Sequence, residues 1–299
     1  MKSVVFIKQI KRIYLHSGID ADTQALTEDG FVDTINPYDE VALEKALRIR
    51  DDGVAGDVTI VTLGTDRAEG ALRWGLAMGA DHAVHAFEKE ATFCDPWITA
   101  RLLAEAISGK GFDLFFFGRM ALDDGMGQVG TFFAALKNLP VVTAVTDLTV
   151  MPSDRTAIAR RALDRGNKEE VQVGLPAVFT ADLSLSQPRY PTFDGRKYAA
   201  AKTIERFDAE KLKSNATGAS MAPTVEIRQV MPPKIRPKKI LAPDSGLSAA
   251  GRMRFVMSGG RGAKSSGRIE GGSEKLAKGI YAYLNEKRFL QDHDDETGN

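Results

Sequence analysis

Cysteine, histidine and net charge are all scarce in this chain, and each scarcity removes a class of function. One cysteine, Cys94, cannot form an internal disulfide or a thiolate metal cluster. The four histidines, His16, His82, His85 and His293, show no metal-ligand spacing, and His82 and His85 flank a strand-like run that reads as structural. Lys plus Arg and Asp plus Glu both total 40, so no overall field draws the chain to nucleic acid or an anionic membrane surface. No apolar run approaches the roughly 20 residues of a membrane-spanning helix. The opening MKSVVFIKQIK is too briefly apolar for a secretory signal. A cytoplasmic or comparably reducing compartment is expected. No acid–base pair, activated nucleophile or metal site stands out, so the chain is expected to have no catalytic residues of its own.

What is present is alternation. With 299 residues there is room for one large domain, or one domain and an appendage. SVVFIK reads as a first strand and ALTEDGFVDT as a turn-rich connection. Asn36 is placed to cap a helix in which Pro37 takes the first position and Asp39 and Glu40 meet the positive end of the dipole. DVTIVTLG is a strand, the run 66–80 a helix ending at Gly79, HAVHAF a strand and DPWITARLLAEAIS a helix. FDLFFFG is apolar without interruption, which predicts a central strand covered on both faces. This order predicts an α/β fold with a mostly parallel, doubly wound sheet and right-handed crossovers.

After residue 150 the pattern changes. TAIARRAL and EEVQVGL flank Asp164-Arg165-Gly166-Asn167 as a hairpin, and LPAVFTADLSL returns to a buried strand. From about Arg206 the order weakens. Between Arg228 and Arg268 there are ten Lys or Arg against one acid, Asp244, in a run rich in proline, glycine and serine. That run is either a solvated tail or an extended arm lying on another protein. The closing EKLAKGIYAYLNEKR favours the arm, because Leu276, Ile280 and Leu284 would leave an apolar stripe stranded on a lone tail.

GRMALDDGMGQVG (118–130) contains a literal G-x-G-x-x-G at Gly125, Gly127 and Gly130. A dinucleotide turn needs its first glycine directly after the strand, whereas Arg119 to Asp124 intervene here. A nicotinamide dehydrogenase is therefore disfavoured. The glycines still precede a helix marked by Val129, Phe132, Phe133 and Leu136, so its first amides are expected either to seat one phosphate or to form a purely structural loop.

Several segments in order resemble one family: VVFIKQI, INPYDEVALEKALRIRD, VTIVTLGT, ALRWGLAMGADHAVH, GRMALDDGMGQVG and LPAVFTADLSLSQPRYPTF. The chain resembles the beta (small) subunit of electron transfer flavoprotein, the FixA-type family, over roughly residues 1–207, and its GRIEGG arm and last helix also resemble that family's C-terminus. The resemblance implies an adenine nucleotide-binding, Rossmann-like core at 1–207 with a recognition loop near 187–200, and an arm at 208–299 packing on a partner. It implies a heterodimer with the alpha subunit, which holds a redox-active FAD, and electrons arriving from a flavin-dependent dehydrogenase. The beta subunit of such a pair carries a structural AMP, or in electron-bifurcating members a second FAD in its place. Neither nucleic acid nor membrane insertion is implied.

Transferred motif by motif, the nucleotide site comprises Phe6, Lys8, Asn36, Pro37, Tyr38, Asp39, Leu63 and Gly64. It continues with Gly118 and the loop residues Asp123, Asp124, Gly125, Met126, Gly127, Gln128 and Val129. Gly127, Gln128 and Val129 would offer amides to phosphate. Asp123 and Asp124 would brace the loop or meet ribose, since carboxylates repel phosphate. Phe6 and Leu63 would either flank the adenine or belong to the core. Arg189, Tyr190 and Phe193 fall in the partner-recognition loop, with Phe193 as the exposed anchor or packed back on its own domain. The loop D-D-G-M-G-Q-V-G departs from the D-G-D-T-A-Q-V-G of second-FAD members, and Ala162 stands where a glutamate often faces the flavin domain. The stand-alone alternative, an adenine-nucleotide hydrolase or stress-type ATP binder, would place a glycine where Pro140 stands.

Overall fold

The computed structural model describes residues 1–13, 31–88, 95–208, 225, 246–257 and 271–286. His16, Cys94 and most of the basic run 228–268 lie outside the described residues. The chain divides into two compact units, Met1–Pro232 and Pro233–Asn299.

The first unit is built on β1 (Ser3–Phe6), β4 (Val58–Gly64), β5 (His82–Phe87), β6 (Leu114–Gly118), β7 (Val141–Met151), β8 (Thr156–Ala162), β9 (Lys168–Gly174), β10 (Ala177–Ala181) and β11 (Glu205–Asp208). They form one nine-stranded sheet in the order β11-β5-β4-β1-β6-β10-β7-β8-β9. Every neighbouring pair from β11 to β7 is parallel, and β7-β8-β9 closes one edge as an antiparallel meander. The connections are α1 (Pro37–Asp51), α2 (Glu69–Met78), α3 (Pro96–Ala106), α4 (Val129–Lys137) and α5 (Phe193–Ala201).

Strand side chains alternate between two cores. Val5, Ile60 and Phe116 face Leu43, Leu47, Leu72 and Leu76 of α1 and α2. Val4, Phe6, Phe115 and Phe117 face α3 and α4, through Leu102, Leu103 and Phe133. A strand buried on both faces has no polar alternation, which is why FDLFFFG reads as a continuous apolar run and lies in the middle of the sheet.

One expectation is corrected. Part of the turn-rich connection over ALTEDGFVDT is a strand: β3 (Phe31–Ile35) pairs antiparallel with β2 (Gln9–Ile13) as a separate two-stranded sheet. Its partner lies before the intervening chain, so local turn residues outweighed a pairing that only the fold brings together. The rest of that connection, residues 25–30, lies outside the described residues.

In the second unit the described residues form α6 (Ala249–Met257) and α7 (Ser273–Glu286). Met253, Val256 and Met257 on α6, and Ile280, Tyr281 and Tyr283 on α7, are exposed.

Candidate functional site

Leaving β1, the chain first builds β4 and β5 on one side of it, then returns to place β6 on the other. That reversal opens a crevice at the C-terminal ends of β1 and β6, where an open α/β sheet accepts ligands. The crevice encloses about 850 Å³ of free space when its open, solvent-filled mouth is included.

Its floor is apolar. Phe6 and Phe117 stack with ring centroids 4.2 Å apart, and Phe133 packs against both from α4. Leu63 from β4 and Val129 from α4 form side walls, with Pro96, Thr99 and Leu103 contributed by α3. Lys8, Asn36, Asp39, Gly118 and the loop residues Asp124, Met126, Gly127 and Gln128 supply the polar rim.

Asp39 fastens the two strands beside the crevice. Its carboxylate accepts the Lys8 amide at 2.8 Å and the Gly118 amide at 2.9 Å, one from each strand end. Burial pushes its carboxyl up to about 7, against the pull of these amides, the Asn36 side chain and the Lys8 charge. Gly118 is required here, because a Cβ would lie 2.1 Å from Asp39 Oδ1 and 2.8 Å from Tyr38 Cβ.

Asn36 departs from the expected cap. Its side chain makes no capping bond to α1. Instead its amide donates to Met120 O at 2.9 Å and its oxygen accepts Leu122 N at 3.3 Å, which ties the helix start to the loop after β6. Pro37 still takes the first helical position, and Tyr38 is buried behind the crevice.

The loop 119–128 is held by charge and by left-handed glycines. Lys8 Nζ bridges Asp123 at 2.9 Å and Asp124 at 2.7 Å. Burial lowers the ammonium, but the two carboxylates outweigh it and hold Lys8 above its ordinary value. Asp123 Oδ1 also accepts the Asp124 amide, so Asp123 braces the loop. Gly125 (φ +66°) and Gly127 (φ +61°) adopt the conformation that side chains resist. A Cβ at Gly127 would also lie 2.9 Å from Arg119 O.

The Gly125 amide bonds Ala121 O, and the Met126 amide bonds Asp124 Oδ1. The next four amides, Gly127 to Gly130, have no partner among the described residues. They open the α4 N-terminus, where the dipole also favours an anion. Gly130 has a packing task besides its open amide. Its missing Cβ lets α4 approach β6 and β10, since one would lie 3.0 Å from Thr180 Cγ2 and 3.2 Å from Phe117. Gly64, expected at the site, sits behind it, where a Cβ would meet Ala68 at 2.8 Å.

An adenosine monophosphate fits this donor set: a flat apolar slot for a base, polar groups at the rim, and unpaired amides for one phosphate. Phe117, Met120 and the three α3 residues were not singled out in the sequence, where Phe117 reads only as core. Nothing local in α3 distinguishes its crevice-facing residues; the topology delivers them.

A second region is organised around Glu44. This buried carboxylate accepts Arg189 Nε at 2.8 Å, the Arg189 amide at 3.1 Å and Arg48 Nε at 2.7 Å. Burial pushes Glu44 up, and the two guanidiniums outweigh it and hold the carboxyl below its ordinary value. Arg189 also bridges Asp51 at 2.9 Å, so the guanidinium pins its segment to α1. Thr192 Oγ1 caps α5 by accepting the Gly195 amide. Gly195 lets α5 touch α2, for a Cβ there would lie 2.4 Å from Ala77 O. On this anchored frame Phe193 is 82% exposed and Tyr190 is 77% exposed.

Across the loop from the crevice lies a second cleft, lined by Arg119, Thr143, Arg161, Ala162, Leu163 and Asp164 among others. Ala162 therefore opens on the same loop as the nucleotide candidate, from its other side.

Comparison with known proteins adds the context. The model of the electron transfer flavoprotein domain matches residues 23–212. Electron transfer flavoprotein subunit beta of Methylophilus methylotrophus is 33% identical over 239 residues, covering 79% of this chain and 90% of that protein. Its counterpart in Bacillus subtilis is 34% identical over 222 residues, 74% of this chain and 84% of the relative. The caffeyl-CoA reductase-Etf complex subunit CarD of Acetobacterium woodii is 35% identical over 218 residues, 72% and 82% respectively.

Proposed function

Because this chain belongs to the electron transfer flavoprotein family, as a relative of its beta subunits, we propose that it is the nucleotide-carrying half of a heterodimer that shuttles electrons. Its crevice holds one AMP as a structural plug. The redox-active FAD sits mainly on an alpha subunit, which accepts electrons from a flavin-dependent dehydrogenase and passes them on. The single observation that carries the nucleotide reading is the row of unpaired amides from Gly127 to Gly130 beside an apolar slot at the sheet's switch point.

In this reading the amides bind the phosphate, Phe6 and Leu63 line the base, and Asp39 and Asn36 hold the loop to the strands. The Lys8 ammonium is spent on Asp123 and Asp124, so phosphate binding rests on amides and the α4 dipole. Arg189 fixes the recognition segment, and Phe193 and Tyr190 present the apolar contact to the dehydrogenase. The exposed apolar residues of α6 and α7 support an arm that packs on the alpha subunit from about residue 208 onward. The second cleft, with Ala162 in place of a carboxylate, faces the flavin side. Electron carriage asks no acid–base chemistry of this chain. A single cysteine fits work in a reducing compartment such as the cytoplasm. Among the described residues no helix is long and apolar enough to cross a membrane.

Acid extraction and chromatography test the assignment. The chain purified alone should be colourless and release AMP, and the chain purified with its alpha subunit should be yellow and release AMP and FAD in equal amounts. Stoichiometric flavin on the isolated chain would overturn the partner-held flavin. Two flavins per pair without AMP would establish the electron-bifurcating type instead.

A further inference from the structure

The wall of the crevice carries an anion of its own. Asp124 lines the crevice, and its side chain is 22% exposed. Asp124 Oδ2 accepts Lys8 Nζ at 2.7 Å, and Asp124 Oδ1 accepts the Met126 amide at 3.0 Å. An ammonium and a loop amide, side by side, are the donors a second phosphoryl group would use. Beside them, among the described residues, the Gly127 to Gly130 amides stay open and can serve one phosphate.

We infer that Asp124 is the specificity-determining residue of the crevice: its carboxylate occupies the second phosphoryl position and restricts the site to nucleotides bearing one phosphate. This rests on the nucleotide reading above and goes beyond it. Two effects act together. The donors are already satisfied, so a diphosphate must break both bonds to gain them. Its second phosphate would also approach a fixed negative charge in a half-buried setting, where charges are poorly screened. Asp123 does not share this role, because it does not line the crevice and its Oδ1 accepts both Lys8 Nζ and the Asp124 amide. That arrangement has a useful consequence: with Asp124 removed, Asp123 still tethers Lys8 and the loop.

The test is competition on the full-length chain. Wild type, Asp124→Gly and Asp124→Asn are exchanged exhaustively against an equimolar mixture of AMP, ADP and FAD, then freed of unbound nucleotide and extracted. Wild type should retain AMP over ADP and over FAD by at least about tenfold. Asp124→Gly, which takes one of two carboxylates off Lys8 and frees the Met126 amide, should raise the ADP to AMP ratio by about tenfold or more. Asp124→Asn keeps an acceptor for the amide but loses the charge, and should move the ratio part of the way. Equal retention of AMP and ADP by wild type, or a ratio unmoved in the variants, overturns the inference while leaving the AMP site standing. Retention of no adenine nucleotide by wild type overturns the nucleotide site and the inference together. Should Asp124→Gly fail to fold, the ratio in Asp124→Asn decides.

Discussion

Gly118→Ala is the sharpest single perturbation of the crevice. The new methyl group would stand 2.1 Å from Asp39 Oδ1, 2.8 Å from Tyr38 Cβ and 3.1 Å from the Asp39 amide. None of these can retreat, because Asp39 and Tyr38 are buried in the first turn of α1. The carboxylate must leave the Gly118 amide, and a hydrogen bond to a charged group contributes about 1.5–3 kcal/mol. The crowding of α1 against β6 adds about 1–3 kcal/mol, so a total loss of about 2.5–6 kcal/mol is expected. Gly125→Ala is the control on the same loop. Gly125 has φ +66° but nothing within 4 Å of a Cβ, so only the left-handed penalty of about 1–2 kcal/mol applies. Urea unfolding followed by circular dichroism, at one fixed AMP concentration, measures both. If Gly118→Ala loses no more stability than Gly125→Ala, Asp39 does not clamp the two strands and the geometry of the crevice has another origin.

Phe193→Ala should leave the urea midpoint unchanged, since the ring is 82% exposed. It should lower the rate of electron uptake from the dehydrogenase by about tenfold or more if the ring is a central anchor; an unaltered rate with a cognate dehydrogenase removes it from the interface. Glu44→Ala should do both kinds of damage, losing about 2 kcal/mol of stability and slowing the same transfer, because Arg189 loses the buried partner that fixes its segment. A variant that keeps normal transfer would show that the segment is placed by other contacts. Asp39 also predicts a pH dependence. Its folded value near 7 lies above the ordinary 3.8, so the folded state holds a proton that the unfolded chain has already released. Its contribution is fully present below about pH 4 and is lost as pH rises to 7, at up to about 1.4 kcal/mol per unit. Asp39→Asn should flatten that part of the stability–pH profile, and an unchanged slope would refute the assignment.

The two sheet faces were legible early because burial leaves a mark on each residue. FDLFFFG announces a central strand, and the alternation of Val4 and Phe6 with Val5 follows from helices on both sides. The β2-β3 hairpin was not legible: its strands are five residues each, and their pairing depends on chain brought back from a distance. Likewise the sequence marked the glycines after β6 without showing that they have separate tasks. Gly127 needs its left-handed turn, Gly130 admits a neighbouring strand, and Gly118 makes way for a carboxylate.

The sequence by itself determined the layered α/β plan and the place of the glycine loop before α4, because both depend on spacing along the chain, whereas the segment around Phe193 was marked only by resemblance to a family. Only the tertiary structure decided that Asp39 joins two strand ends, that Asn36 reaches the loop, and that Asp124 and Lys8 are already paired. These contacts join residues 31 to 116 positions apart. A local pattern carries no record of them, since what selects each partner is the burial and charge of the groups that folding sets beside it.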